Sequence, residues 1–332
     1  MKTVKWFCKV FLAGIIAFLV LNIIFFPYYK LPTHAKNENG STDYKWTPHS
    51  VFAIATEGYS WGKLNAEGFN NTFERTDIPE IDILITGSSN AEGFHVLQSE
   101  TISAQLSGLY KGKETVYNIG VSDHDFKICL SNFEAALEEY SPKKYAVIET
   151  QNLFIDKETL QKIIDNTVPE LESNESTAIK ALSSLPFLRL SYLQLSKLRA
   201  PTSDLQSSVD YTAEFKENIP LYEEIIKRVA SSAEKHGVKA VILFHSVVQL
   251  DENAELKPSA ASGYSGLFGE LCEKYGVVFV DMYKKFGTEY SEKHILPHGF
   301  ANTSIGTGHL NADGNRMIAE ELFARFEKEE AE

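Results

Sequence analysis

The sequence holds three cysteines in 332 residues, Cys8, Cys129 and Cys272, too few for the disulfide framework that staples small secreted folds. Cys8 precedes a long apolar run, and the other two fall in helix-like stretches, ICLSNFEAAL and LFGELCEKYG. Buried free thiols are expected there. No Gly-Lys-Ser/Thr follows Gly87 and Gly93, which excludes a phosphate-cradling loop. His294 and His298 flank a late loop without the spacing of a ligand pair, so neither a metal nor a cofactor is expected. Positive charge is scarce: 32 Lys and Arg face 45 Asp and Glu, a net of −13. Lys2, Lys5 and Lys9 are among those bases and no acid precedes Glu38, which leaves the remainder more acidic still. Nucleic acid and anionic lipid are poor partners for such a surface, because phosphate binding needs concentrated positive charge. There is no internal repeat.

What is present at the start is apolar. Residues 10–29, VFLAGIIAFLVLNIIFFPYY, are interrupted only by Asn22 and match the roughly 20 residues that a helix needs to span a bilayer. With Lys2, Lys5 and Lys9 in front, the positive-inside rule keeps residues 1–9 in the cytoplasm and exports everything after Lys30. The expected location is the plasma membrane, single-pass, with an extracellular or periplasmic C-terminal domain. A cleaved signal peptide is the alternative, since Thr33-His34-Ala35 loosely resembles a cleavage site. The run is longer than a signal core, and Tyr28-Tyr29-Lys30 reads as an interfacial anchor.

Residues 30–76, rich in Asn, Gly, Ser and Thr, read as a stalk and lead-in. From there to residue 332 strands and helices alternate. β-Branched runs occur at 81–87, 115–121, 145–151, 238–248 and 277–283, with amphipathic patterns at 97–110, 126–140, 213–237, 264–276 and 311–330. Helices of this length between strands imply parallel pairing with both faces covered. The expected fold is a doubly wound α/β domain, flavodoxin-like, with about five parallel strands. An insertion at about 155–211 breaks the alternation; its apolar part, IKALSSLPFLRLSYLQLSKL, suits either a satellite helix pair or a lid or membrane-proximal surface.

The stretch ILITGSSNAEGF, residues 83–94, ends the first strand in Gly-Ser-Ser. It is either a plain turn or one that lifts a serine hydroxyl toward a base. In doubly wound sheets ligands bind at the carboxyl ends of the strands, which draws attention to Ser88, Ser89 and Asn90, to residues 122–125, to Gln151 and Asn152, and to His245. His309, in GHLNADG before the last helix, returns to that same edge. Serine needs such an imidazole, being a poor nucleophile by itself at neutral pH.

GSSN after the first strand, NIGVSD after the second, ETQN after the third and GHLNADG before the last helix together resemble the four blocks of the SGNH hydrolase superfamily, the GDSL-like esterases and acyltransferases. The resemblance covers roughly residues 80–325 apart from the insertion. It implies that Ser89 is the nucleophile and His309 the base. It places oxyanion donors at the Ser89 N–H, at Asp123 rather than Gly120, and at the Asn152 amide. Two departures stand out. Ser88 replaces the usual acid before the nucleophile, as in some membrane-anchored members such as the protein of the teichoic-acid D-alanylation pathway. Gly306 occupies the position that usually holds the third triad member. A Ser-His dyad with a backbone carbonyl is then expected, with Glu149, His124, Asp125 or His245 near enough to orient the imidazole or bind substrate.

What the resemblance implies is an exported, anchored enzyme for ester-linked acyl groups, acetyl first among them. Its partners would be an acyl donor, a cell-surface glycan or teichoic acid, and a multispan membrane-bound O-acyltransferase. A carbohydrate esterase and a catalytically silent glycan-binding module are the other readings.

Overall fold

Five runs of β-branched and aliphatic residues form strands β1 Ile83–Thr86, β2 Val116–Asn118, β3 Tyr145–Thr150, β4 Lys239–Phe244 and β5 Val278–Asp281. All pair in parallel, in the order β5-β4-β3-β1-β2. The computed structural model describes the chain apart from residues 1, 37–41, 123, 168–184, 200–210, 252, 254, 259–262, 304 and 332. The helices are α1 Lys2–Phe25, α2 Ser89–Glu92, α3 Ile102–Leu109, α4 Phe126–Tyr140, α5 Lys157–Ile164, α6 Pro186–Arg199, α7 Thr212–Lys235, α8 Ser265–Lys274, α9 Tyr283–Lys293 and α10 Ala312–Ala331.

Side chains alternate across a strand, and both faces of this sheet are covered. Ala146, Ile148, Ala240, Ile242 and Phe244 pack with α4, α5, α7 and α8. Val147, Val241 and Leu243 pack with α3, α9 and α10. Two-sided burial is why the strands read as continuous apolar runs rather than alternating ones. Thr86 is in register with Ile148, and Thr150 with Phe244, so the carboxyl ends of β1, β3 and β4 lie side by side. The chain moves from β1 to the β2 edge and then returns to β3 on the other side. That reversal marks the crevice where such sheets bind ligands.

The lead-in is not a stalk over its whole length. Trp46, Phe52, Ile54, Leu64 and Phe69 are buried with Ile81, Leu84, Phe94 and Tyr117 in a third apolar cluster. Val51–Ile54 pairs antiparallel with Ser60–Lys63 on one side and with Tyr29–Lys30 on the other. Asn70, the acceptor of an Asn-x-Thr glycosylation pattern, is buried and donates to the Glu92 carbonyl at 2.8 Å. The pattern serves packing.

Other differences are local. β4 stops at Phe244, and Val248–Leu250 instead forms a hairpin with Leu256–Pro258. α9 was not foreseen because its sequence, YKKFGTEYSEK, buries only Phe286 and Glu289 and so carries little helical periodicity. Within the insertion, α5 buries Leu160 and Ile163 in the core; α6 is described, while 168–184 and 200–210 lie outside the described residues. Cys129 and Cys272 are free and buried. Residues Thr3–Phe25 of α1, with mean hydropathy 2.5, form a helix long and apolar enough to cross a membrane.

Truncation of a buried phenylalanine costs about 3–5 kcal/mol, whereas substitutions on a solvated stalk stay within about 0.5 kcal/mol. Phe52→Ala is therefore expected to lower stability by the larger amount, as measured by urea unfolding of the detergent-solubilised chain followed through tryptophan fluorescence.

Candidate active site

β1 ends at Thr86, and the turn beyond it is built around a buried carboxylate. A Cβ on Gly87 would lie 2.4 Å from Glu149 Oε2, so only glycine lets that side chain approach. Glu149, on β3, accepts the Ser88 N–H at 2.8 Å and the Ser88 hydroxyl at 3.0 Å. Its other oxygen lies 2.5 Å from His245 Nε2, both side chains being fully buried. Burial alone would raise the Glu149 carboxyl, but His245 and the two Ser88 donors outweigh it and hold the group below the usual carboxylate range. An ionised carboxylate only accepts, so His245 Nε2 carries the proton. Ser88 is the N-cap of α2 and Ser89 its first residue, where a backbone N–H has no intrahelical acceptor.

His309 reaches this serine from the loop before α10. Its Nε2 is 2.9 Å from Ser89 Oγ. Its Nδ1 is 3.0 Å from Glu57 Oε2, and its backbone N–H donates to Glu57 Oε1 at 2.8 Å. The Nδ1 contact is an ion-pair approach rather than an aligned ring hydrogen bond. Burial would raise the Glu57 carboxyl, but the His309 contacts and the charges of His309 and His95 bring it down to about 2. Serine, histidine and glutamate therefore form a continuous chain of contacts, with the acid supplied by the lead-in.

Several side chains hold Glu57 in place. Asn302 Oδ1 accepts the Gly58 N–H at 2.9 Å, and its Nδ2 donates to the Ala55 and Gly58 carbonyls at 3.0 and 2.9 Å. The Asn-x-Ser pattern at Asn302 is thus structural as well; that at Asn174 lies outside the described residues. Gly308 has φ +92°, and a Cβ there would meet Glu57 Oε1 at 2.3 Å, so the carboxylate touches the His309 backbone only because residue 308 is glycine. The His95 ring stacks on His309 with centroids 3.7 Å apart and planes 15° apart. Its Nδ1 is 3.2 Å from the Glu57 carbonyl, which fixes the proton on Nδ1. Burial first, and the charge of His309 second, lower its pKa to about 4.

Of the residues singled out from sequence, Ser89 and His309 are brought together. Asn90 joins them indirectly: buried in α2, its Oδ1 accepts the Leu310 N–H at 2.9 Å and ties the histidine loop to the serine turn. His245 and Glu149 sit beneath Ser88 rather than beside His309, and Asp125 caps α4. The Gly120 N–H donates to Asn118 Oδ1 at 2.8 Å, and a Cβ at Gly120 would meet Ala91 and Glu92; this glycine serves close packing, not an oxyanion. Asn152 Oδ1 accepts from the Phe154 N–H at 2.9 Å and from Tyr264 Oη at 3.4 Å, in a local turn on the other side of the β3 end. Gln151 is half-buried, with Nε2 unpartnered among the described residues. Asp123 lies outside the described residues.

Glu57 was missed. The expected dyad is corrected to a three-member chain whose acid precedes the serine by 32 positions. Nothing in a single acidic residue on an irregular stretch marks it, though Glu57-Gly58, at the turn between two short strands, was a weak signal.

Glu57, His95 and His309 also offer three ligand atoms within 4.8 Å of one another. A metal bound by two imidazoles must lie near both ring planes, and two rings stacked 3.7 Å apart and nearly parallel cannot both meet that requirement. The cluster fits proton transfer better than metal ligation.

Neither a family model nor a curated protein matches the chain. Among solved structures it is similar to an acetyl xylan esterase at 12% identity, covering 74% of this chain and 99% of that one with a TM-score of 0.41. It is also similar to a lipolytic G-D-S-L family member from Veillonella parvula, at 11% identity, 75% and 99% coverage and TM-score 0.41. An acetyl xylan esterase variant from Geobacillus stearothermophilus gives 12% identity, 74% and 94% coverage and TM-score 0.42.

Two outcomes follow from the geometry. If Glu57 orients His309, Glu57→Gln should lower kcat for an activated ester on the order of a hundredfold to ten-thousandfold with little change in KM, and the folding midpoint should move far less than activity. The second concerns acid stability. His298 is fully buried and His95 partly so; burial, then neighbouring histidines, hold them near 3 and 4, below the unfolded value of about 6.5. The unfolded chain therefore binds more protons below about pH 6.5, so stability present above that pH declines as pH falls toward 3, by up to about 1.4 kcal/mol per pH unit for each such group. Denaturant unfolding between pH 7 and 4 should show a shallower slope for His298→Leu than for the wild type.

Proposed function

We propose that this chain is a serine-dependent acyl-transfer enzyme, with Ser89 as nucleophile, His309 as general base and Glu57 as the group that orients and charges the imidazole. The observation that carries the reading is the Ser89 Oγ to His309 Nε2 distance of 2.9 Å, backed by Glu57 at 3.0 Å on the far nitrogen. Attack by Ser89 Oγ on an ester carbonyl forms the C–O bond while the hydroxyl proton passes to His309 Nε2. Negative charge gathers on the carbonyl oxygen, and the Ser89 N–H, at the first residue of α2, is the proposed donor to it. Each such donor supplies a few kcal/mol. Collapse expels the alcohol, which takes the proton back from His309 and leaves an acyl-serine. An acceptor hydroxyl, deprotonated by His309, then attacks the acyl carbonyl, the bond to Ser89 Oγ breaks, and the proton returns from His309 Nε2 to Ser89 Oγ.

The acyl group proposed is acetyl and the acceptor a glycan or teichoic-acid hydroxyl at the cell envelope, with α1 as an uncleaved anchor and the catalytic domain outside the cytoplasm. A multispan membrane-bound O-acyltransferase is the proposed source of acyl groups. Removal of acetyl groups from a glycan uses the same residues with water as acceptor. The complete Ser89–His309–Glu57 chain supports either enzyme over a silent binding module.

The test is mass spectrometry of the full-length chain after exposure to 4-nitrophenyl acetate, beside Ser89→Ala and His309→Ala. The wild type should gain one acetyl mass on Ser89, and both variants should lose or slow it; labelling unchanged in Ser89→Ala would sink the proposal. Adding an oligosaccharide then separates transfer from hydrolysis, since a transferase places acetyl on the sugar in preference to water.

A further inference from the structure

α6 reads PFLRLSYLQLSKLR. It carries Arg189, Lys197 and Arg199 and no acid, in a chain whose net charge is −13. Its first turn lies against α1. The Phe187 N–H, one of the donors that a helix start leaves without an internal acceptor, donates to Asn22 Oδ1 at 3.2 Å. Asn22 is the one polar interruption of the apolar run, and its Nδ2 donates to the Phe18 carbonyl at 2.9 Å. The Phe187 ring sits 6.3 Å from that of Phe18 and 5.6 Å from that of Phe25. Arg189 covers the Tyr29 ring at 5.3 Å. At 1.5 Å of rise per residue, Asn22 lies only about 5 Å inside the end of α1, so the first turn of α6 is level with the outer end of the apolar span. Further along α6, Tyr192 and Leu195 are 70% and 55% exposed.

We infer that α6 is a second membrane contact, lying in the outer headgroup region beside α1 with Tyr192 and Leu195 facing lipid and Arg189, over the Tyr29 ring, at the level of the headgroups. The inference rests on the reading of α1 as a membrane span. An amphipathic segment that combines apolar or aromatic residues with cationic ones suits an interfacial position, and basic residues beside a span are drawn to anionic lipid. The acidic remainder of the domain is repelled by the same lipid, so α6 sets which side of the domain meets the bilayer. The occupied Asn22 amide supplies the geometric reason: in hydrocarbon an unpaired amide is costly, and the start of α6 provides a partner for it. α6 then adds to the Tyr29–Lys30 ladder in fixing the domain's orientation on the bilayer.

The test uses the full-length chain with Cys8→Ser, carrying Tyr192→Cys or Leu195→Cys labelled with bimane, in vesicles of phosphatidylglycerol and phosphatidylethanolamine. Doxyl-labelled lipid should quench both positions, most strongly with the doxyl group near the headgroup, and aqueous iodide should quench them at least several-fold less than free label. Iodide quenching equal to that of free label, with the chain still retained after alkaline carbonate, would overturn the second contact alone. Release of the unlabelled wild type by alkaline carbonate would overturn the span and the inference with it, while leaving acetyl transfer to Ser89 untouched.

Discussion

The His309 imidazole has to face two ways at once, and most of the structure around the site follows from that requirement. One nitrogen points to Ser89 Oγ and the other to Glu57, while the backbone is held through Glu57, through Asn90 by way of Leu310, and through Gly299, whose N–H donates to the His309 carbonyl at 2.9 Å. These restraints come from the lead-in, from α2 and from the last loop, three regions far apart in sequence. A ring confined in this way loses little entropy in holding the geometry that proton transfer between Ser89 Oγ and His309 Nε2 would need.

Beneath that ring lies a second polar layer with a different role. Glu149 and His245 are fully buried and support the Ser88 backbone. A buried carboxylate is tolerated only when donors surround it, and here those donors include the turn that presents Ser89. Ser88, which stands where an acid is usual in the resembled family, is thus matched by an acid on the neighbouring strand.

The sheet was legible because two-sided burial writes itself as apolar runs, and the serine and histidine were legible because strand ends converge on one edge. Glu57 was not, for a physical reason. Its role depends on a tertiary approach through Gly308 and on the Asn302 clamp, and neither leaves a periodic trace. Gly120 shows a related limit: a glycine that permits close packing against α2 and one that donates to a ligand look alike in sequence. Asn152 is engaged through Oδ1, which accepts from the Phe154 N–H in its own turn, a contact that block matching does not reveal.

The pairing of Tyr29 with Ile54 connects the membrane-side end of the chain to the acid of the site, because Glu57 lies just three positions beyond Ile54. A peptidase that cut after Ala35 would release the Tyr29–Lys30 strand along with α1. Val51–Ile54 would then become a sheet edge, with carbonyl and amide groups formerly paired to its neighbour turned to water. Cleavage there and retention of the whole chain would therefore yield molecules with different local order beside Glu57, the difference resting on a ladder of two residue pairs.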